Sequence, residues 1–459
     1  MDKTETALGV LRKILTDEVD SDSPDVFKKY IDSLDRGGLL ESVEMFGTPQ
    51  YILNTDDLRK RARFFIDTFK EHIPNLDAFY AFKCNDFPFL IKILKEDGFK
   101  ADVAGLFELQ LALKLGFDRI IFTGPGKSIE ELQLSLENSD KVIINIDNKD
   151  EFLRLKSLNP SKKVNVSIRI NPDTKVTQTW SKFGIELIGL KDFVDMIRKE
   201  KNINLIGLHF HCSWNETSER YVKNISLIGD YLKKNFSDSE LSWLEFFDIG
   251  GGFYPEDAAV LSKLSDKYDL LNMVEDEFSV SDIDPYTFSI EKVEPLKKFA
   301  KEISESLNKN IFSINPKIKI YCEPGRFIAT HSTSVLLKVI AEKDGCVIVD
   351  GGINMFGDYR FEEYAFAPIV NLSNFSSELK RKIIYGPLCD PSDLWGYSYY
   401  GNEVKKGDVL AVLHQGAYTF CCAWRFIKPI PSYIVLEGKN LYIGKEQEGF
   451  EQRYSGCKF

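Results

Sequence analysis

Lys83 closes a short apolar run, FYAFKCN. A lysine there has its ammonium partly withdrawn from water, which lowers its pKa and suits it to Schiff-base chemistry. Three consecutive glycines, Gly250–Gly252, leave main-chain N–H groups open to a phosphate, since no side chain blocks close approach. The segment CEPGRF sets Glu323 and Arg326 either side of Pro-Gly, offering a carboxylate to a ring nitrogen and a guanidinium to a phosphate. That combination suits pyridoxal phosphate. Asp102, Arg169 and His211 also fall at the ends of apolar runs. Taken singly, a strand-end Lys or Asp reads as a solvated loop residue, the histidine as a satisfied core group and GGG as a turn. Only their convergence carries the chemistry.

Groups so far apart in sequence need a scaffold that gathers them on one rim. Eight short apolar, β-branched or aromatic runs alternate with amphipathic helical stretches: 77–83, 99–105, 119–124, 141–146, 164–171, 205–211, 244–252 and 319–325. They fit a closed (β/α)8 TIM-like barrel better than an open doubly wound sheet, and such barrels place the site at the C-terminal ends of the strands. After about 330 the texture changes to strand-like runs punctuated by Gly and Pro, predicting a C-terminal all-β domain. The expected division is a helical extension over 1–47, a barrel over 48–330 and a β-domain over 331–459. The strand around 48–55 (YILN) is expected to pair with the β-domain. The acidic segment 255–292 lacks a clear strand and reads as a lid or subunit contact.

The chain has 459 residues, with 59 Lys+Arg against 70 Asp+Glu and a net charge of -11, a field that repels nucleic acid and anionic membranes. No run of 18 apolar residues occurs and the N-terminus lacks a signal peptide's basic start, so a cytoplasmic protein is expected. Eight cysteines show neither CxxC nor zinc spacing, so no metal site is expected.

The segments YAFKCN (80–85), ADVAGLFEL (101–109), RINP (169–172), SKFGI (181–185), GLHFHCS (207–213), FDIGGGF (247–253), EPGRF (323–327), GPLCD (386–390) and GAYT (416–419) occur in one order. In that order the sequence resembles the pyridoxal-phosphate decarboxylases of the ornithine, diaminopimelate and arginine decarboxylase group, which share the alanine-racemase-like barrel. The resemblance implies a homodimer whose active sites draw residues from both subunits. It implies that Lys83 carries the cofactor, Glu323 bonds the pyridine nitrogen and His211 lies against the ring. Arg326, Gly251, Gly252, Gly325, Tyr418 and, less directly, Ser213 would hold the phosphate, while Asp102 and Arg169 orient groups around Lys83 and the ring hydroxyl. Cys389 of the second subunit would be the proton donor. Cys212-Ser213-Trp214 departs from the family's small residue and Gly-Ser after the histidine.

Substrate choice is read at the distal end. The resemblance implies that the acidic residues of the diamine-forming members map to Asp390 and, by ungapped counting from Asp350, to Glu362, two carboxylates for a cationic end that favour ornithine, lysine or a related basic amino acid. Arg360 keeps open diaminopimelate or a carboxylated polyamine precursor. A racemase on the same barrel would need a second base and has no use for GPLCD. A catalytically dead regulator resembling antizyme inhibitors would not retain Lys83, Glu323, Arg326 and Cys389 together.

Overall fold

The computed structural model describes residues 25–172, 182–213, 215–255, 261–262, 293–356 and 365–459. The chain forms two compact units: Asp57–Glu256 with Val293–Ala329, and Met1–Asp56 with Asp257–Lys292 and Thr330–Phe459. Among the described residues no helix is long and apolar enough to cross a membrane.

The first unit is a closed barrel of eight parallel strands: β1 (Leu76–Ala81), β2 (Lys100–Val103), β3 (Ile120–Phe122), β4 (Val142–Ile146), β5 (Val164–Asn171), β6 (Ile203–His209), β7 (Phe246–Asp248) and β8 (Lys319–Cys322). Closure is made by β8 against β1, with Ile320 opposite Leu76 and Cys322 opposite Ala78. Six strands stop two or more residues earlier than the apolar runs predict. In β7 the reason is local: Gly250 and Gly252 have φ of 69° and 93°, which no extended strand contains.

Side-chain alternation sorts the barrel interior into levels. At the N-terminal end Asp77 is 2.5 Å from Lys100 and 3.6 Å from Lys319. Above it Phe79, Tyr321 and Phe246 stack, with ring centroids 4.7 and 4.3 Å apart, and pack with Ile121 and Ile143. The aromatic level needs a partner with no side chain: Gly207 lies opposite Phe246, and a Cβ there would meet that ring at 2.2 Å. Above this, Ala81 on β1 is joined by inward polar residues on the other strands, among them Asp102, Asn145, Ser167, His209 and Asp248.

One buried ion pair braces the outside of β3 and β4. Asn148 caps the helix Lys149–Ser157 by accepting the Glu151 main-chain N–H, and the Glu151 carboxylate turns inward to Lys127 Nζ at 2.9 Å. Both side chains are fully buried. Lys127 also donates to the carbonyls of Gly124 and Asn145, at 2.6 and 2.8 Å. Burial lowers the Lys127 pKa and raises that of Glu151, each opposed by the other's charge.

The second unit is a nine-stranded sheet ordered 346–349, 379–385, 394–400, 369–371, 409–412, 333–343, 50–54, 432–437, 440–445. Gln50–Asn54 sits inside it, antiparallel to one neighbour and parallel to the other. The helices Asp25–Asp32 and Arg36–Phe46 cover one face: Ile31 and Leu39 join Ile52, Leu336, Val370 and Tyr400 in a single core. Arg36 Nε pins the second helix to the Leu372 carbonyl at 2.7 Å. Of the segment 255–292, Pro255 and Leu261–Ser262 lie within the described residues, the latter paired with Ala365–Phe366.

Gly207→Ala should cost about 1–3 kcal/mol through the clash with Phe246, read as a lowered urea midpoint; an unchanged midpoint would show that the aromatic level can yield. Lys127→Met should cost about 3–5 kcal/mol by leaving Glu151 buried and uncompensated, and adding Glu151→Leu should recover part of it. Equal losses in the single and double variants would contradict that origin.

Candidate active site

The site grows from the polar level at the C-terminal end of the barrel. A 3-10 turn at Phe82–Cys84 follows β1 and presents Lys83, whose side chain is 35% exposed and whose Nζ lies 3.2 Å from Asp102 Oδ2 on β2. Thr123, just after β3, donates to the other oxygen of Asp102 at 2.5 Å. The expected lowering of the Lys83 pKa is not what the structure gives. Burial acts in that direction, but the Asp102 and Glu323 carboxylates outweigh it and the pKa is raised. Asp102, raised to about 6 by burial and by the Glu323 charge, is held down by Lys83.

Glu323 follows β8 at the barrel centre, almost fully buried. Its Oε1 lies 3.2 Å from His209 Nε2 and its Oε2 lies 3.6 Å from His211 Nδ1. Oε1 has no hydrogen bond of good geometry. Burial alone would raise the Glu323 pKa; the two histidines and Lys83 prevail and hold it well below the usual carboxylate range. On Asp248 of β7, by contrast, burial and the Glu323 charge push the pKa well above the usual carboxylate range. His211 accepts the Gly251 main-chain N–H at Nδ1, 3.2 Å away, and burial lowers its pKa to about 4, so its imidazole is neutral.

The glycines are required by space as well as by φ. A Cβ on Gly251 would meet the Glu323 carbonyl oxygen at 2.2 Å, and one on Gly252 would meet the Cys212 carbonyl oxygen at 2.0 Å. Tyr221 donates to the Gly251 carbonyl at 2.6 Å. Arg326 stands over the Tyr254 ring at 5.0 Å. Gly325 serves packing, since a Cβ there would meet Cys84 Cβ at 2.8 Å. Arg169, at the end of β5, lies 3.9 Å from Asp147 and over the Phe183 ring at 4.3 Å. This explains SKFGI: Gly184, at φ 77°, turns tightly against the end of β5 and lets Phe183 reach Arg169. Ser213 gives its carbonyl to Arg220 at 2.8 Å, and Trp214 lies outside the described residues.

The barrel thus gathers Lys83, Asp102, Arg169, His211, Gly250–Gly252, Glu323 and Arg326 on one rim. Sequence reasoning missed His209, Asn145 and Asp248. Two-residue alternation through Gly207, His209 and His211 was the signal for His209.

On the other unit, Tyr418 has φ 56°, a left-handed conformation unusual for a bulky residue. Cys389 is exposed and Asp390 half-buried. Asp390 Oδ1 accepts from the Ser392 N–H and hydroxyl at 2.9 and 2.7 Å, and these bonds lower its pKa. The GPLCD loop is shaped by Asp393, which sequence reasoning also missed. Its carboxylate accepts the N–H groups of Ile353 and Leu388 at 2.8 and 2.6 Å. Arg360 and Glu362 lie outside the described residues.

The residues present fit pyridoxal phosphate. Glu323 Oε1 is a buried, ionised acceptor without a well-aligned donor, which suits a protonated ring nitrogen. The glycine turn leaves no room for a side chain beside it. Lys83, Gly251, Gly252 and Arg326 would hold the group, and His211 would face it.

Residues 57–330 match the family model for the pyridoxal-binding domain of pyridoxal-dependent decarboxylases. The chain is 26% identical over 438 residues to a diaminopimelate decarboxylase of Aquifex aeolicus, covering 90% of this chain and 92% of that one. It is 24% identical over 382 residues to a probable ornithine decarboxylase of Dictyostelium discoideum, covering 78% and 73%. The solved diaminopimelate decarboxylase of Helicobacter pylori in complex with L-lysine superposes with a TM-score of 0.73 at 25% identity, over 91% of this chain and 98% of that one. A family match across well over half the chain, on a barrel whose rim fits the cofactor, makes this protein a member of the pyridoxal-dependent decarboxylases, with pyridoxal phosphate as its cofactor.

Proposed function

We propose that the chain removes the α-carboxylate of an amino acid whose far end carries an ammonium group, giving CO2 and an amine. The observation that carries this reading is the placement of Lys83 and an ionised Glu323 on one barrel rim, beside a glycine turn with room for a phosphate. Pyridoxal phosphate supplies a carbonyl for the substrate's amino group and a ring that accepts the electrons left by CO2.

The chain's own residues divide the remaining work. Lys83 Nζ, steadied by Asp102, exchanges protons with the incoming amino group. Glu323 holds the proton at the ring nitrogen. The neutral imidazole of His211 covers one face and keeps water from it. Gly251, Gly252 and Arg326 bind the phosphate. Three residues of the other unit keep, as proposals, the roles given by resemblance: Tyr418 on the phosphate, Asp390 toward the distal ammonium, and Cys389 Sγ returning a proton to the carbon that has lost CO2. Cys389 serves a second copy in a homodimer, and its solvent-exposed position supports this.

Asp390, kept ionised by Ser392, supports a cationic distal end. Ornithine, lysine and diaminopimelate all carry one. Diaminopimelate is favoured as a second reading because that decarboxylase aligns over 90% of the chain, against 78% for the ornithine relative.

In a CO2-release panel, substrates with a distal ammonium should exceed L-leucine in kcat/KM by roughly 30-fold or more, the factor for losing a 2–5 kcal/mol charge contact. Equal turnover of L-leucine would reject the cationic pocket, while meso-diaminopimelate against L-ornithine and L-lysine separates the two readings. Lys83→Ala should abolish release. Mixing inactive Lys83→Ala with inactive Cys389→Ala chains should restore activity, since a mixed dimer regenerates one complete site; no recovery despite proven exchange counts against shared sites.

A further inference from the structure

His209 is fully buried in the barrel, and no motif role accounts for it. It stands between two partners. Nε2 faces Glu323 Oε1 at 3.2 Å, and Nδ1 is 3.0 Å from Asn145 Nδ2. The protons along this line can be assigned from the Glu323 end. An ionised carboxylate only accepts, so the hydrogen is on Nε2; a neutral imidazole then presents a lone pair at Nδ1. The Asn145 amide nitrogen donates to it, leaving Asn145 Oδ1 to accept the Ser167 hydroxyl at 2.9 Å. Lys127 holds the Asn145 main chain in place through its carbonyl. Ser167 and Asn145 donate in turn toward His209, whose Nε2 edge faces Glu323 Oε1 at 3.2 Å in close approach rather than as a well-aligned hydrogen bond.

We propose that His209 is a positioning residue: its neutral Nε2–H tautomer, locked by Asn145 and Ser167, keeps Glu323 ionised and turned toward the cofactor's ring nitrogen. This rests on the cofactor reading above. The groups facing Glu323 explain the need for such a donor. Lys83 and Arg169 favour the anion, whereas Asp102, Asp248 and burial oppose it. Burial keeps His209 itself uncharged. A neutral donor steadies the carboxylate without neutralising it, so a full negative charge remains for the ring nitrogen; a cation in that position would form a closed ion pair.

Infrared difference spectra of the cofactor-free chain test this independently of cofactor binding. Glu323→Gln should delete an ionised-carboxylate band from the wild type but a protonated-carboxyl band from the His209→Leu background. In the holoenzyme reconstituted with pyridoxal phosphate carrying 15N in the ring, His209→Leu should move the nitrogen resonance toward the unprotonated position. His209→Gln, which retains a donor, should bring it back. The Leu variant should lose about tenfold or more in kcat with KM changed far less. Should His209→Leu not fold, Asn145→Leu, which keeps the imidazole and releases its tautomer, should shift the same band and resonance in the same direction. A carboxylate band in both backgrounds, or an unmoved resonance, overturns the assignment. A wild type that shows the carboxylate band yet takes up no cofactor leaves His209's effect on Glu323 standing and overturns the cofactor reading instead.

Discussion

The Glu323 carboxylate carries a negative charge at the centre of a closed barrel, where an isolated ion would be driven to its neutral form. Much of the rim is arranged around keeping it charged. His209 and His211 approach its two oxygens, Lys83 and Arg169 supply positive potential, and the Glu323 charge in turn pushes the pKa of Asp248 well up. Two buried carboxyls close together cannot both ionise, and the unequal distribution of imidazoles decides which one does.

The same constraint accounts for backbone features that have no charge of their own. Glu323 donates its main-chain N–H to the Gly250 carbonyl at 2.8 Å, and its carbonyl fills the space a Gly251 side chain would need. The phosphate cradle and the ring-nitrogen partner are therefore built against each other. Neither can be repositioned without the other, because the contact is main chain to main chain and has no rotamer to absorb a change.

The eight barrel strands are legible in the sequence because each is a short apolar run between amphipathic stretches, and all eight occur. Their ends were less legible: the run 244–252 continues past Asp248 through Ile249 into three glycines, but left-handed glycines stop the strand at Asp248. Lys83 was identified with the wrong direction of pKa shift, since a one-dimensional reading sees its apolar neighbours in the chain but not the carboxylates that arrive from β2 and β8. Lys127 and Glu151 look like solvated surface charges until the fold pairs them across 24 positions. Strand Leu394–Tyr400 went unrecognised, although its aromatic run LWGYSYY has the composition of a half-buried strand. The roles of Cys389 and Tyr418 came from resemblance alone.

The stacked level of Phe79, Tyr321 and Phe246 has a consequence for traffic through the barrel. All three rings are essentially inaccessible to solvent and lie directly below the polar level that holds Asp102, His209 and Asp248. Water and protons entering from the N-terminal end meet a seal, so the buried acids and imidazoles exchange with bulk solvent only by way of the rim. The barrel is a well with one opening, and whatever occupies the rim during turnover is also its stopper: the proton inventory beneath is set at the moment of binding and held until release.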